Sequence, residues 1–250
     1  MATFLRVGGN AALRGANLSR LLRDAPPFKD EANRDVVQID DMRFLLDTLS
    51  TKGFIGRRWP QGLVFYDFHP NVSARRQALF LEACMHWSRI ARVAFKKAIR
   101  RPNYIYIKDD PGNWSYMGMI GGRQYMGIYN WDRTFIIAHE IGHALGLTHE
   151  QCRKDRDKYV EIIARNIIPN RIHNFTKFAT ESYNEYDFAS IMHYDQYAFS
   201  RNNLPTIEAR RGYEDQEQSM GNRAYLTALD AAGMAARYGV RTTMWRAPDR

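Results

Sequence analysis

The 250-residue chain has little cysteine and no long apolar run, and each shortage excludes a class of protein. Its two cysteines, Cys84 and Cys152, allow one disulfide at most and lack metal-ligand spacing, so a disulfide framework is excluded. The apolar runs are far too short to span a bilayer. The first ten residues lack the basic-then-apolar pattern of a signal peptide. We therefore expect either that the protein is not exported this way or that the sequence starts after the signal.

Positive charge is in excess but is not concentrated. The chain has 36 basic and 27 acidic residues and a formal charge of +9 at pH 7. Such an excess would suit an acidic partner such as nucleic acid. The basic residues are nevertheless scattered in pairs, such as Lys96–Lys97 and Arg100–Arg101, among acidic ones, and no known nucleic-acid motif accompanies them. We therefore expect a solvated basic surface and no nucleic-acid partner; salt-sensitive retention on DNA would indicate the opposite.

The length suits one large domain, or one domain with a short extension. Residues 1–56 differ from the rest because they are polar and show only short helical patterns, at Leu18–Leu22 and Met42–Leu49. Residues 239–250 form a polar tail. The remainder predicts strands at Leu63–Phe68, Tyr104–Lys108, Tyr116–Ile120 and Gln124–Tyr129, and helices at Ala74–Lys97, Thr134–Leu145 and Thr227–Tyr238.

The most informative stretch is residues 139–150, which read His-Glu-Ile-Gly-His-Ala-Leu-Gly-Leu-Thr-His-Glu. On a helix, His139 and His143 project from one face and can hold one metal ion. Gly146 permits the left-handed backbone that ends a helix and turns the chain back. That return brings in His149 as a third ligand. Three neutral imidazoles around zinc leave one position open for water, which is the arrangement of a catalytic site.

Glu140 follows the first ligand and is close enough to take a proton from a metal-bound water without being a ligand itself. The short pattern His-Glu-x-x-His occurs by chance in many helices. The extended pattern fixes three histidines, one glutamate and one glycine, and its chance occurrence in a chain of this length is on the order of one in 10⁵. We therefore favour a metal site over a set of ordinary surface or core histidines.

A second landmark is residues 190–194, which read Ser-Ile-Met-His-Tyr. In a tight turn beneath three metal-bound imidazoles, Met192 would supply an apolar floor that fixes their positions. Tyr194 would then reach the metal or a substrate oxygen. Taken alone, Met192 would be ordinary core and His193 an ordinary surface histidine, so the interpretation depends on their place downstream of the histidine run.

Together these motifs resemble those of the astacin family of metzincin endopeptidases. The family's Glu after the third histidine corresponds to Glu150. Other similar segments are Trp59–Tyr66, Trp114–Gly118, Arg153–Val160, Tyr186–Ser190 and Gly221–Arg223, so the resemblance covers roughly residues 57–238. It implies an α+β fold of two subdomains, with a twisted mixed sheet and two long helices above a cleft and an irregular C-terminal subdomain below it. One zinc ion would lie on the cleft floor.

The activity implied is zinc-dependent hydrolysis of peptide bonds in proteins. Zinc lowers the pKa of its bound water from about 15.7 toward about 7. Glu140 would accept the proton as general base and pass it to the leaving amine. Tyr194, a metal ligand in the resting state, would help to hold the oxyanion. An extended substrate would pair with strand Gln124–Tyr129 at the cleft's upper rim, and the protein would be a secreted or extracellular monomer.

One departure from the family pattern and three alternatives stay open. The two disulfides usual in the family have no counterpart here, because Cys84 and Cys152 do not match their positions, so secretion is less secure. Cys152, three residues past a zinc ligand, is either a bystander thiol or one with a redox or metal-poisoning role. The chain could also be a pseudoenzyme or a zinc-dependent binding module, which hydrolysis of casein or gelatin by a zinc-loaded protein would exclude. Arg223 either favours an acidic residue after the scissile bond or is a surface arginine in a salt bridge.

The same resemblance predicts that residues 1–56 are a pro-segment across the cleft. Astacin-like zymogens place an aspartate on the zinc within a Phe-x-Gly-Asp motif, which this chain lacks. Residues 38–42, Gln-Ile-Asp-Asp-Met, resemble its Gly-Asp-Met variant, which makes Asp41 the candidate ligand, with Asp40 next.

Cleavage within Leu49–Gly53 would then free an amino terminus that pairs with Glu150. The alternative is that Asp40 and Asp41 cap a helix at Met42–Leu49, where acidic residues are favourable.

Overall fold

The computed structural model describes residues 3–4, 16–46, 56–178, 185–244 and 246–247. The predicted cleavage region Leu49–Gly53 lies outside these residues. None of the helices in the described ranges is both long and apolar enough to cross a membrane.

A mixed sheet of eight strands runs through the described residues. The strands of this sheet are β2 (Phe28–Lys29), β3 (Asp35–Ile39), β4 (Met42–Leu45), β5 (Leu63–Phe68), β6 (Ala94–Lys97), β7 (Tyr104–Asp109), β8 (Trp114–Tyr116) and β9 (Arg123–Ile128). A short strand before them in the chain, β1 (Thr3–Phe4), lies outside the sheet. The order across the sheet is β2-β3-β4-β8-β9-β7-β5-β6. Strands β9, β7, β5 and β6, which are adjacent in this order, all run parallel to one another, whereas β8 is antiparallel to β9.

Helices cover this sheet and supply its main core. They are α1 (Ala16–Asp24), α2 (Ala74–Ile90), α3 (Thr134–Ala144) and α4 (Ala228–Tyr238). Ser73 caps α2 by accepting a hydrogen bond from the backbone N–H of Arg76. The indole of the fully buried Trp87 on α2 donates a 2.8 Å hydrogen bond to the carbonyl of Ala138 on α3. The helix that carries the histidines is thus held against a rigid neighbour.

The chain beyond α3 is mostly short 3-10 turns and loops, as predicted. Its strands are β10 (Leu147–Thr148), which pairs with β1, and β11 (Val160–Ile162), which pairs with β12 (Ile207–Ala209). This region has an apolar cluster of its own, separate from the core under the sheet. The fold is therefore α+β, with two differently built parts, and this prediction is confirmed.

Two predicted helices are wrong in part. The helix predicted at Ala74–Lys97 ends at Ile90, because Ala94–Lys97 pairs in parallel with the open edge of β5. The helix predicted at Met42–Leu49 is instead strand β4 over its first four residues. Alternating burial along β4 matches a strand with one buried face, and pairing with distant strands overrides the local helical pattern.

The strand predicted at Tyr116–Ile120 is also displaced. Strand β8 ends at Tyr116, and Gly118 adopts a φ of 64°, a left-handed conformation that an extended strand excludes. The backbone N–H of Gly118 instead donates to the carbonyl of His143 at 2.8 Å. The chain thus leaves the sheet to contact the histidine helix.

Candidate active site

The predicted ligands come together through one helix and one turn. His139 and His143 lie four residues apart on α3, and both are buried. Just past the helix, Gly146 adopts a left-handed φ of 100°, as predicted. A Cβ at position 146 would lie 2.6 Å from Nη2 of Arg237, so the packing also requires glycine. The turn returns His149, fully buried, to the same site.

Three imidazole nitrogens converge on the carboxylate of Asp41. Its oxygens lie 3.2 Å from Nε2 of His139, 3.1 Å from Nε2 of His143 and 3.1 Å from Nε2 of His149. The four side chains each offer one ligand atom, and these atoms all lie within 4.8 Å of one another. Three imidazoles and a carboxylate are a donor set that zinc accepts.

The hydrogen bonds of the Nδ1 atoms determine that the Nε2 atoms face the Asp41 carboxylate. Nδ1 of His139 lies 2.8 Å from the carbonyl oxygen of Ile191, and Nδ1 of His143 lies 2.7 Å from that of Leu147. A carbonyl only accepts, so each Nδ1 carries the proton and each Nε2 presents a lone pair. Lone pairs of these nitrogens and of the Asp41 carboxylate therefore meet at one point. This arrangement fits a cation, which would remove the repulsion between them.

Glu140 is buried beside this cluster. Burial raises its pKa well above the ordinary range, and the carboxylates of Asp41 and Asp40 raise it further. Its Oε2 has no hydrogen-bond partner among the residues that the structure describes. A buried carboxylate oxygen without a partner is costly unless a ligand or solvent molecule satisfies it, so this atom is available to a reacting group.

The Met192 turn packs directly beneath the ligands. Met192 is fully buried, and a Cβ added to Gly142 on α3 would lie 3.0 Å from its Sδ. The carbonyl of Met192 also accepts a hydrogen bond from the backbone N–H of Glu150, at 3.1 Å. The neighbouring His193 is buried and hydrogen-bonded to Tyr186 at 2.7 Å, so its interpretation as a surface residue is wrong.

Tyr194 lies over the third ligand. Its ring centroid is 4.7 Å from that of His149, and its hydroxyl donates a 2.5 Å hydrogen bond to the carboxylate of Asp40. Burial raises the pKa of Tyr194 well above its usual range, as do the neighbouring carboxylates. The hydroxyl is therefore a neutral donor.

Asp40 and Asp41 form the two-residue tip of the hairpin between β3 and β4. Asp40 adopts a left-handed φ of 56°, which favours glycine, and its backbone N–H donates to Oδ1 of Asn174 at 3.2 Å. The chain continues into a strand, so the interpretation of the two aspartates as helix caps is wrong. The Asp41 carboxylate points at the three histidines, and the Asp40 carboxylate accepts from the Tyr194 hydroxyl beside them.

The strand predicted to receive substrate is an inner strand, so that prediction is wrong. The segment Gln124–Tyr129 falls on β9, whose two edges are already paired with β7 and β8. The edge nearest the histidine helix belongs to β8, which contacts β4 on its outer side, with Met42 opposite Ser115 and Arg43 opposite Tyr116. The N-terminal segment therefore covers the edge that an extended peptide would need.

Glu150 and Arg223 occupy different surroundings. Glu150 is fully buried, where burial raises its pKa to about 8, and its Oε1 pairs with Nη1 of Arg153 at 2.8 Å. Arg223 donates from Nη1 to the carbonyl of His193 at 3.0 Å. Burial lowers the pKa of Arg223, while the carboxylates of Asp41 and Glu140 act in the opposite direction. The guanidinium therefore faces the site, and it makes no ion pair within the described ranges, contrary to the surface salt-bridge interpretation.

The cysteines are free and buried. Burial raises the pKa of Cys152 to about 12, and its thiol lies 3.4 Å from the carbonyl oxygen of Asn174. Both features suit an inert thiol, since reactive cysteines need an accessible thiolate.

Sequence reasoning missed several residues around the site. Asn174 holds the Asp40 backbone, and the hydroxyl of Tyr116 donates a 2.5 Å hydrogen bond to Asp30. Asp30 and Asn174 lie far from these partners in the chain and carry no local motif. The Asp230 carboxylate behind the Met192 turn was signalled only by the Thr-x-x-Asp pattern at the start of α4, which is a helix cap.

Comparison with known proteins adds a family match. The model described as Astacin (Peptidase family M12A) matches residues 52–239. Bone morphogenetic protein 1 of Xenopus laevis is 37% identical over 184 residues, which cover 70% of this chain and 26% of that protein. Zinc metalloproteinase nas-12 of Caenorhabditis elegans is 36% identical over 157 residues, which cover 61% of this chain and 41% of that protein. The matched region thus spans well under half the length of these relatives.

A solved structure supports the same likeness. High choriolytic enzyme 1, a hatching enzyme zinc-protease from Oryzias latipes, superposes with a TM-score of 0.69 at 29% identity. The match covers 75% of this chain and 96% of that chain.

Proposed function

This chain belongs to the astacin family (peptidase family M12A), and from this premise we propose that it is a zinc-dependent endopeptidase that hydrolyses peptide bonds in proteins. The observation that carries the proposal is the convergence of three imidazole Nε2 atoms beside a buried, unpartnered carboxylate oxygen of Glu140. One zinc ion per chain would be held by His139, His143 and His149.

Zinc, when bound, supplies Lewis-acid activation of water and of the substrate carbonyl. Glu140 acts as general base and then delivers the proton to the leaving amine. Its burial and its unpartnered Oε2 support this role. The neutral hydroxyl of Tyr194 donates to the oxygen that gains negative charge. Met192 holds the ligands from below through packing against α3.

The substrate is a protein segment bound in extended form. Strand β8 offers the pairing edge for it, because Gly118, two residues past the strand, donates a hydrogen bond to the carbonyl of His143 and so holds that edge next to the histidines. Arg223 faces the same space and favours an acidic residue near the scissile bond. The enzyme acts as a monomer, and by family likeness outside the cell.

We also propose that residues 1–56 form an inhibitory pro-segment. Asp41 takes the position that the reacting water needs, and β4 takes the edge of β8. Two further contacts hold the segment outside the site. Asp30 accepts a hydrogen bond from the hydroxyl of Tyr116, and the guanidinium of Arg43 lies 3.1 Å from the ring centroid of Trp114.

Cleavage within Leu49–Gly53 would release this segment, and the new amino terminus would pair with Glu150, which already lies buried beside the third ligand. Mass spectrometry of the active species would identify that terminus directly.

The test uses the full chain. Purified protein should contain one zinc, be latent on casein, and gain activity after limited proteolysis; 1,10-phenanthroline should abolish that activity. Glu140→Ala, cut in the same way, is the matched control for a contaminating protease. Zinc bound without hydrolysis after cleavage would indicate a pseudoenzyme or binding module instead. If the uncut chain is already fully active, the inhibitory role of residues 1–56 is wrong.

A further inference from the structure

A buried carboxylate on α4 lies directly behind the Met192 turn. Asp230 has no exposed surface, and its Oδ2 accepts from the backbone N–H of Thr227 at 3.1 Å, which is a normal helix cap. The same Oδ2 accepts from the backbone N–H of Ile191 at 3.1 Å, and Oδ1 accepts from the hydroxyl of Ser190 at 2.6 Å. The cap uses only the first contact. The other two bind a turn that is distant in sequence.

Ser190 connects Asp230 to a further residue of the turn, Met192. Its Oγ accepts a 3.1 Å hydrogen bond from the backbone N–H of Met192 while its proton goes to Asp230. Two backbone N–H groups of the turn, at Ile191 and Met192, therefore depend on one carboxylate, directly or through Ser190. Charge-assisted bonds of this kind are stronger than neutral ones.

The carbonyl groups of the turn contact the first zinc ligand, His139, and the residue after the third ligand, Glu150. The carbonyl of Ile191 accepts from Nδ1 of His139, at 2.8 Å, and the carbonyl of Met192 accepts from the N–H of Glu150, which follows His149. Ile191 makes both contacts: its N–H donates to Asp230, and its carbonyl orients the His139 ring. A shift of the turn would rotate the His139 imidazole away from the common centre.

We propose that Asp230, acting through Ser190 and Ile191, is a positioning residue for the metal site. It fixes the turn whose carbonyl sets the ring orientation and tautomer of His139. The proposal rests on the proposed zinc site, although the contacts themselves do not depend on any ion. Outer partners of this type typically change metal affinity by about 10–100-fold when they are removed.

The simpler interpretation is that Asp230 only caps α4. It predicts a loss of stability without a change in zinc affinity. Ser190→Ala separates the two interpretations, because it removes the hydroxyl link from Asp230 to the turn and leaves the Ile191 contact and the Thr227 cap contact in place. Ser73→Ala is the control: it removes a capping hydroxyl of the same residue type from the exposed start of α2.

The experiment measures zinc affinity of the full chain by competition with a chromophoric chelator, and thermal unfolding of the metal-free protein. We expect Ser190→Ala to bind zinc about tenfold more weakly and to melt roughly 2–4 °C lower, whereas Ser73→Ala should keep the wild-type zinc affinity. Asp230→Asn keeps an acceptor for the cap and serves if Asp230→Ala does not fold; it should also weaken zinc binding. Wild-type affinity in both Ser190→Ala and Asp230→Asn would overturn the proposal. Failure of the wild type itself to bind zinc would overturn the proposed function instead.

Discussion

The hydroxyl of Tyr194 donates a 2.5 Å hydrogen bond to the carboxylate of Asp40. The side chain proposed to stabilise the reacting oxygen is thus bound by the segment proposed to inhibit the enzyme. Asp41, the next residue, faces the three imidazoles. Two adjacent aspartates at one hairpin tip therefore occupy two separate parts of the catalytic machinery.

Replacement of Asp40 by glycine should weaken latency. The residue has a left-handed φ of 56°, which glycine adopts without strain, so Asp40→Gly removes the carboxylate while preserving the turn. Burial and the Asp41 carboxylate raise the pKa of Asp40 to about 8, so near neutral pH this hydrogen bond joins two largely neutral groups and is worth about 0.5–1.5 kcal/mol. We expect activity of the uncut chain to rise by up to about tenfold. Asp41→Ala should raise it further.

The matched control for these variants is Asp35→Ala in β3 of the same hairpin. Among the residues that the structure describes, the Asp35 side chain pairs with Lys29 at 2.9 Å on the surface, and such pairs contribute about 0–1 kcal/mol. Equal leakage from Asp35→Ala and Asp40→Gly would show that general loosening of the segment, and not the Tyr194 contact, causes the effect. Peptide hydrolysis by the uncut proteins provides the measurement.

Glu140→Gln should separate metal binding from catalysis. The amide has nearly the shape of the carboxylate but cannot accept a proton, and the imidazoles are unchanged. We expect the cut protein to keep one zinc per chain and its melting temperature, while turnover falls by about 10²–10⁴-fold. Substantial hydrolysis by a fully metallated Glu140→Gln protein would disprove the assignment of the base.

Tyr194→Phe should have opposite effects in the two forms of the protein. In the cut enzyme, loss of the hydroxyl removes a contact made mainly in the transition state, so kcat should fall by about 10²-fold with little change in KM or zinc content. In the uncut chain, the same change removes the bond to Asp40, so cleavage within Leu49–Gly53 should release the segment faster. Unchanged turnover in the cut variant would indicate that Tyr194 only packs beneath the site.

The metal helix is predictable because its motif is local. Spacing on one helix and one left-handed glycine bring three ligands together within eleven residues, and α3 ends one residue from the predicted bound. The positions of β5 and α4 also agree closely with the sequence pattern, since β5 is a short apolar run after a turn and α4 begins at a capping threonine.

The N-terminal hairpin is less predictable, because its strands exist through pairing with β8 much later in the chain. Nothing local indicates that Met42 would lie beside Ser115, or that β9 would have both edges covered. The buried contacts of Asn174 and Asp230 likewise depend on the assembled fold. Tertiary pairing of this kind overrides propensity in short segments.

Arg223 should determine a preference for acidic substrates. Its guanidinium faces the carboxylates of Asp41 and Glu140, and the two aspartates at the hairpin tip are acidic groups already held near it. In the cut enzyme these aspartates are gone, and a substrate Asp or Glu would replace their charge through a charge-assisted contact. Cleavage-site profiling of a peptide library should show acidic residues enriched about tenfold next to the scissile bond, in line with about 1.5 kcal/mol for such a contact. Arg223→Gln should lose this enrichment while it retains zinc and cleaves neutral peptides. A wild-type profile without acidic enrichment would contradict the prediction.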